Sequence, residues 1–180
     1  LLGGFGYIGS AVLEKISEDN LFKKWEIVVV DNWCYGRGMT AVYEYFKIKI
    51  KKFKFFCFDI SDENVNVQDD FKSILSDADY IINLCSLTQV PSTNLHEKYI
   101  IDGVEKLSTI IRENCNNVKK IIDISSTSTY GSVQYEKENY SEPYTEQIFP
   151  NPKESLHNYA SSKLIAEQIW ISPKNKTLPV

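Results

Sequence analysis

Three glycines near the start of the chain have the spacing of a phosphate-binding turn. Gly3, Gly6 and Gly9 follow one another at intervals of three in the run LGGFGYIG. In a strand-to-helix turn, the first glycine permits the tight bend, the second lets the backbone approach a pyrophosphate, and the third lets helix and strand pack closely. The helix N-terminus adds free N–H groups and a partial positive charge. We therefore assign Gly3, Gly6, Tyr7, Ile8 and Gly9 to cofactor binding, with a plain glycine-rich turn as the alternative.

A carboxylate follows at the distance expected for a ribose-binding residue. Asp31 ends a short β-branched run and lies 22 positions after Gly9, close to the roughly 20 residues expected in dinucleotide-binding domains. Its carboxylate could accept hydrogen bonds from ribose hydroxyls and would repel the 2′-phosphate of NADP. We therefore expect NAD as the cofactor, bound by Asp31 and Asn32. A role for Asp31 in capping a loop or helix is the alternative.

The residues that follow the next two predicted strands complete the expected cofactor site. In parallel α/β sheets, ligands lie beyond the carboxyl ends of the strands. Asp59 and Ile60 follow the third strand, where they could hold an adenine ring by hydrogen bonding and apolar contact. Leu84, Cys85 and Ser86 follow the fourth strand and offer small side chains beside the cofactor.

A hydroxyl-rich run and a tyrosine–lysine pair could supply proton transfer. The run SSTSTYG begins at Ser125 and follows the fifth predicted strand; alone, such a run is more often turn chemistry. Tyr159 and Lys163 lie four residues apart and would share one face of a helix. The ammonium and a positively charged nicotinamide ring would favour the phenolate, which could remove a hydroxyl proton. Each pattern is weak alone, but their order along the chain is specific.

Alternating strands and helices must position these groups. Such alternation implies βαβ units, a parallel sheet and right-handed crossovers, so we predict an α/β protein with a Rossmann-type doubly wound parallel sheet in three α/β/α layers. Beyond a first strand ending at the glycine turn, the predicted strands are 26–31, 53–58, 80–85 and 118–124, and the predicted helices are 8–19, 39–47, 69–76, 96–114 and 158–171. The proline-bearing segment 132–157 is expected to be mainly loop.

Composition narrows the class of protein and its location. The chain has 180 residues, 43% of them hydrophobic and 24% charged, with a net charge of −4. This balance is typical of a globular domain and argues against nucleic acid as the main partner. The longest apolar run, 27–30, is far too short to span a membrane. The four cysteines form no CxxC pair, and neither histidine lies at ligand spacing from one. We therefore expect a cytoplasmic protein with reduced thiols and no metal site.

The two ends of the sequence suggest a piece of a longer protein. The chain opens two residues before its glycine turn and closes on TLPV, which has the character of the start of another strand. We expect residues 1–180 to be an NAD-binding Rossmann domain that lacks most of its first strand and a C-terminal substrate-binding part. Such a piece should be inactive and marginally stable alone.

Taken together, these motifs resemble the extended short-chain dehydrogenase/reductase family, also called the NAD-dependent epimerase/dehydratase family. Its TGxxGxxG turn corresponds to residues 2–9, with Leu2 in place of the usual threonine. Its Asp-Asn and Asp-Ile pairs after the second and third strands, its SSxxxYG segment and its YxxxK pair are all present. The resemblance covers essentially the whole chain.

The resemblance implies specific roles for three residues. Ser126 would be the catalytic hydroxyl that orients O4 of a sugar, and Tyr159 the general base or acid. Lys163 would hold the nicotinamide ribose and favour the phenolate. The family's substrates are mostly nucleotide-linked sugars, so we expect a UDP-sugar here, and its members are often dimers through the fourth and last helices.

Departures from the family pattern favour one activity. Nucleotide-sugar 4,6-dehydratases usually place Asp-Glu directly after the catalytic threonine, whereas Thr127 and Ser128 follow Ser126 here. The Glu that UDP-glucuronate decarboxylases tend to keep at the second position is absent too. We therefore expect a sugar 4-epimerase. The alternatives are a dehydratase or an NAD(P)-dependent reductase of the same family, or a non-catalytic dinucleotide-binding sensor.

Overall fold

β-Branched and aromatic runs form parallel strands that alternate with amphipathic helices. A computed structural model of the chain describes residues 1–34, 38–62, 69–86, 97–130 and 158–180. The strands are β1 (Ile27–Asp31), β2 (Phe53–Cys57), β3 (Tyr80–Asn83) and β4 (Lys120–Asp123). The helices are α1 (Tyr7–Glu18), α2 (Gly38–Lys49), α3 (Asp69–Ser76), α4 (Gly103–Asn114) and α5 (Asn158–Trp170). Shorter 3₁₀ segments are Asn20–Lys24, Thr127–Tyr130 and Pro173–Asn175, and a π-helical turn, Glu97–Asp102, leads into α4.

One residue joins two strand pairs into a single sheet. β1 pairs with β2 and β3 with β4, all in parallel. Leu2 lies between the pairs: its N–H donates to the Ile82 carbonyl and its own carbonyl accepts from Leu84 N–H, both at 2.9 Å. On its other side it bridges to Val30 of β1. The spatial order is therefore β2-β1-Leu2-β3-β4, the arrangement of a doubly wound dinucleotide-binding sheet.

The sheet carries a hydrophobic core on each face. Val29 and Val30 are both fully buried but belong to different clusters, as expected when successive side chains of a strand point to opposite faces. One cluster packs α1 and α2 on the sheet, and the other packs α3, α4 and α5 on the opposite face. The predicted three layers are confirmed.

Several element boundaries differ from the prediction for local reasons. β3 ends at Asn83 rather than at residue 85, because the Asn83 side chain accepts from Cys85 N–H at 3.2 Å and turns the chain. The predicted helix 96–114 is α-helical only from Gly103 and begins as the π-helical turn. The predicted loop 132–157 lies outside the described residues, as do both histidines. The final residues lie beside β4, where Ile121 N–H donates to the Pro179 carbonyl at 2.7 Å.

Candidate active site

The glycine turn is held against the end of β3 at a position that only glycine fits. Gly3 has a φ of +70°, in the left-handed region. A Cβ there would lie 3.0 Å from both the Cys85 nitrogen and the Leu84 carbonyl carbon. Both the conformation and the close approach therefore require glycine. The structure brings the turn together with the predicted Leu84–Cys85 segment.

The start of α1 is built to receive an anion. A Cβ on Gly9 would lie 2.5 Å from the Gly4 carbonyl oxygen, so this position too must be glycine. The first helical hydrogen bond runs from Ser10 N–H to the Gly6 carbonyl at 2.9 Å. The N–H groups of Tyr7, Ile8 and Gly9 thus precede the hydrogen-bonded part of the helix and are available to a ligand. The first turn has no acidic residue, and no side chain caps it.

Gly6 differs from the other glycines of the motif. Among the described residues, a Cβ at this position would meet only the Gly3 carbonyl oxygen, at 3.5 Å, which is an ordinary contact. The packing of these residues therefore does not demand a glycine here. The space beside Gly6 is what a pyrophosphate would need to approach the backbone, so the turn fits the cofactor that its sequence predicts.

Asp31 fastens the glycine turn to the end of β1. Its two carboxylate oxygens accept from Phe5 N–H and from Trp33 N–H, both at 3.0 Å. The side chain is 5% exposed, and burial raises the pKa of its carboxyl although both hydrogen bonds act in the opposite direction. Each oxygen keeps a second lone pair that could accept from a ribose hydroxyl. The sequence alone did not reveal the link to Phe5.

The adenine side of the predicted site is a hydrogen-bonded chain between two strand ends. Asn32 Nδ2 donates to Asp59 Oδ2 at 3.1 Å, and the other Asp59 oxygen accepts from the amide and hydroxyl of Ser61. Ile60 is only 5% exposed and belongs to the core cluster. The adenine contact assigned to Ile60 stays a prediction.

An unpartnered hydroxyl lies at the end of β3. In the part of the chain that the structure describes, the buried Oγ of Ser86 has no hydrogen-bond partner. A buried polar group without a partner is costly and often marks a ligand position. Burial raises the pKa of the neighbouring Cys85 thiol well above the usual range. The unpartnered hydroxyl of Ser86 fits a cofactor running past this segment.

The predicted lysine links the last helix to the end of β4. Lys163 is 5% exposed, and its Nζ donates to the Ile124 carbonyl at 2.6 Å. A buried ammonium must find strong acceptors, and this hydrogen bond fixes α5 over the strand end that leads into Ser126. Tyr159 lies one helical turn before Lys163 and is partly buried against the core.

Ser126 begins a tight hydroxyl-rich turn. Its Oγ lies 2.5 Å from the hydroxyl of Ser128 and accepts from Ser128 N–H at 3.2 Å. Its carbonyl accepts from both the amide and the hydroxyl of Thr129, at 3.1 and 2.7 Å. The 3₁₀ segment Thr127–Tyr130 packs against α5. The turn that begins at Ser126 and helix α5 are thus in contact, and together they carry the three predicted catalytic residues, Ser126, Tyr159 and Lys163.

Two polar pairs beneath this region were not predicted from the sequence. The Ser125 hydroxyl donates a short hydrogen bond to Glu167 Oε1, and Asn83 Nδ2 donates to Asp123 Oδ1 at 2.6 Å. Burial raises the pKa of Asp123 despite the Asn83 bond and the positive charge of Lys163. The sequence could have indicated Glu167 by its position four residues after Lys163, which places both residues on the same face of one helix.

A large cavity lies away from these groups. It has a volume of about 1220 Å³ and is lined by residues of β1, β3, α1 and α3, including Val28, Tyr80, Val12 and Ile74. Ser126, Tyr159 and Lys163 are not among its lining residues. We therefore place the candidate active site at the carboxyl ends of the strands and not in this cavity.

The fold and the glycine turn define a dinucleotide-binding α/β domain. Comparison with known families identifies the kind of dinucleotide-binding domain, because the sequence model of the NAD dependent epimerase/dehydratase family matches residues 1–176. The chain belongs to this family, and the resemblance stated from its motifs is confirmed. NAD is the cofactor of the family. No curated protein matches the chain.

Solved structures with the same fold include two kinds of sugar-nucleotide enzyme. The UDP-Glc/GlcNAc 4-epimerase of Campylobacter jejuni has a TM-score of 0.72 and 23% identity, over 97% of this chain and 49% of its own. The UDP-glucuronic acid 4-epimerase of Bacillus cereus has a TM-score of 0.72 and 19% identity, over 93% and 49%. The dTDP-glucose 4,6-dehydratase DesIV of Streptomyces venezuelae has a TM-score of 0.69 and 19% identity, over 93% and 48%. The chain thus spans about half the length of these structures.

Within the five described segments, no helix combines the length and apolar character needed to cross a membrane. Those segments also bring together no group of three or more His, Cys, Asp or Glu side chains suited to a metal ion.

Proposed function

We propose that the intact protein is an NAD-dependent nucleotide-sugar 4-epimerase and that residues 1–180 form its NAD-binding domain. The observation that carries the proposal is the hydrogen bond from Lys163 to the Ile124 carbonyl at 2.6 Å. It holds the helix that bears Tyr159 against the strand end that leads into Ser126. This arrangement supports proton transfer at a sugar hydroxyl beside a bound dinucleotide.

The chain's own groups would divide the binding of the cofactor between them. The free N–H groups at the start of α1 would bind the pyrophosphate, and Asp31 would accept from the adenosine ribose. Ser86 and Lys163 would donate to the half of the cofactor nearest the substrate. When bound, NAD would supply the hydride acceptor for oxidation at sugar C4 and the hydride donor for reduction from the opposite face.

Proton transfer would be the work of the tyrosine and the serine. The Tyr159 phenolic oxygen would take the proton of the O4 hydroxyl and give it back to the inverted product. Lys163 would favour the phenolate by its positive charge. The Ser126 hydroxyl both donates and accepts, so it can orient O4 throughout the reaction.

The residues after Ser126 favour epimerisation over elimination of water. Elimination needs an additional acid and base, whereas Thr127 and Ser128 offer only exposed hydroxyls. The Ser128 hydroxyl is moreover engaged with Ser126. Reversible oxidation at C4 needs no further carboxyl group, which agrees with the residues present.

The substrate and the assembly follow from the same proposal. We expect a UDP-linked hexose as substrate and a cytoplasmic homodimer formed through α4 and α5. Light scattering on the purified intact protein tests the dimer: a mass twice that of one chain is expected, and a monomeric mass would contradict it.

The experiment that tests the function uses the intact protein. It is purified and denatured, and the released small molecules are assayed for NAD. Native protein is then incubated without added cofactor with UDP-glucose, UDP-galactose and their N-acetyl forms. Retained NAD with interconversion of a C4 pair is expected. Turnover only with added NADH or NADPH would indicate a reductase, loss of water a dehydratase, and bound NAD without turnover a sensor.

A further inference from the structure

The last helix contacts the end of β4 through two side chains one turn apart. Lys163 holds the Ile124 carbonyl, and Glu167 accepts a short hydrogen bond from the Ser125 hydroxyl. Residues four apart on a helix lie on the same face, so Tyr159, Lys163 and Glu167 form one line along α5. Two consecutive residues of the strand end are therefore fixed by this line, immediately before Ser126.

The hydrogen bonds of Ser126 itself shape its turn. Within the described residues, its carbonyl and hydroxyl bond to Ser128 and Thr129. These bonds give the turn its shape but do not place it relative to α5. Its placement relative to α5 comes from the packing of Thr127–Tyr130 on that helix and from the hydrogen bonds of the two residues just before the turn, Ile124 and Ser125.

We propose that Glu167 is a positioning residue whose carboxylate holds the Ser125 hydroxyl and thereby fixes Ser126 opposite the face of α5 that bears Tyr159. This role rests on the proposed function. Lys163 is also expected to bind the cofactor, whereas Glu167 interacts with Ser125 and Asp123 in the described part of the chain and is assigned no cofactor contact. Glu167 is thus the contact that keeps the two catalytic elements in register when the cofactor is bound.

The surroundings of Glu167 carry charges of both signs. The charge of Glu167 raises the pKa of the partly buried Asp123, whereas the positive charge of Lys163 lowers it. A hydroxyl that donates to a carboxylate makes a stronger hydrogen bond than one between neutral groups. Removing the acceptor would leave the Ser125 hydroxyl partly buried without its partner and free the strand end to move.

The test compares Glu167→Ala, Glu167→Gln and Ser125→Ala in the intact protein. We expect Glu167→Ala to lower kcat roughly 10- to 100-fold, since small misplacement of catalytic groups is costly, with KM and retained NAD little changed. Glu167→Gln keeps an acceptor oxygen and should recover most of the rate. Ser125→Ala should match Glu167→Ala, and the double variant should be no worse than either. Gln168→Ala, an exposed neighbour on α5, is the control.

Hydrogen exchange provides a readout that does not depend on turnover. Amides of 126–130 should exchange faster in Glu167→Ala than in the parent and in Glu167→Gln, while those of 3–9 stay unchanged. An unchanged kcat with unchanged exchange at 126–130 would overturn the proposal, as would a loss of thermal stability alone. If the parent itself turns over no nucleotide sugar, the proposed function fails, and the exchange result alone decides whether Glu167 fixes this segment.

Discussion

The glycine turn and the Ser126 region lie at the same edge of the sheet but are built from different parts of the chain. The turn is made of main chain: N–H groups, carbonyls and positions where a Cβ would collide. The Ser126 region is made of side chains that reach across the fold, from Lys163 to Ile124 and from Ser125 to Glu167.

This difference determines which changes each region tolerates. The turn should fail when volume is added to its backbone, whatever the chemistry of the added group. The Ser126 region should fail when a single donor or acceptor is removed with little change of volume. The predictions below separate these two kinds of damage.

Tyr159→Phe should have the largest effect on turnover. The change removes only the phenolic oxygen, so epimerisation should fall by about 10³-fold, within the range typical of a lost general acid–base group. Retained NAD should be unaffected. Steady-state rates with a UDP-hexose measure the first quantity and cofactor release the second. Tyr45→Phe, which removes an exposed hydroxyl bonded to Glu14, is the control, and equal rates for both variants would refute the role of Tyr159.

Gly9→Ala should damage the turn and the fold together. The added Cβ would meet the Gly4 carbonyl oxygen at 2.5 Å, and overpacking of this kind costs about 1–3 kcal/mol. Urea unfolding and NAD titration should both show a loss. Gly38→Ala is the matched control, because none of the residues that the structure describes lies within 4 Å of a Cβ at that position. Similar losses in the two variants would contradict the packing account.

Gly6→Ala should separate cofactor binding from folding. The new methyl group makes one ordinary contact in the protein, so the free energy of unfolding should change by less than about 1 kcal/mol, the scale of an N-cap effect. NAD affinity should still fall at least about tenfold, if the pyrophosphate approaches this position. An unchanged affinity for NAD, measured by calorimetry, would contradict a close approach of the pyrophosphate to Gly6.

Asp123→Asn should have the smallest effect, and one that depends on pH. Burial raises the pKa of Asp123 above its ordinary value of 3.8, so the ionised carboxylate costs stability above the folded pKa. That cost disappears as pH falls towards 3.8. The variant should therefore be slightly more stable than the parent at pH 7.5, with the difference shrinking towards pH 4. Asp79→Asn, an exposed partner of Lys119, is the control, and a gain that grows at low pH would contradict the sign.

The sequence predicted the turn well because its constraints are local. Gly3 and Gly9 are fixed by contacts with near neighbours and with the adjoining strand end, which the spacing of the motif encodes. The parallel pairing of the strands and the helices on both faces of the sheet followed from the alternation of elements. Even Leu2, a single bridging residue, joins both strand pairs as the first strand would.

The remaining features of the site depend on side-chain contacts that the spacing of motifs along the sequence does not encode. The hydrogen bond between Ser125 and Glu167 joins residues 42 positions apart. The sequence shows a run of hydroxyl side chains there but does not indicate which of them is hydrogen-bonded to the last helix. Ile60 packs in the core cluster, which its place after a strand does not reveal, and its expected contact with adenine stays a prediction. The early end of β3 arises from one side-chain bond of Asn83.

The most direct measurement follows the atom transferred at the sugar. UDP-glucose carrying deuterium at C4 is incubated with the intact protein without added cofactor, and the product is examined by NMR. The account predicts UDP-galactose with the deuterium still at C4, because the atom removed is returned to the same carbon from the other face. Deuterium on another carbon of the sugar, or its loss from the product, would contradict the account.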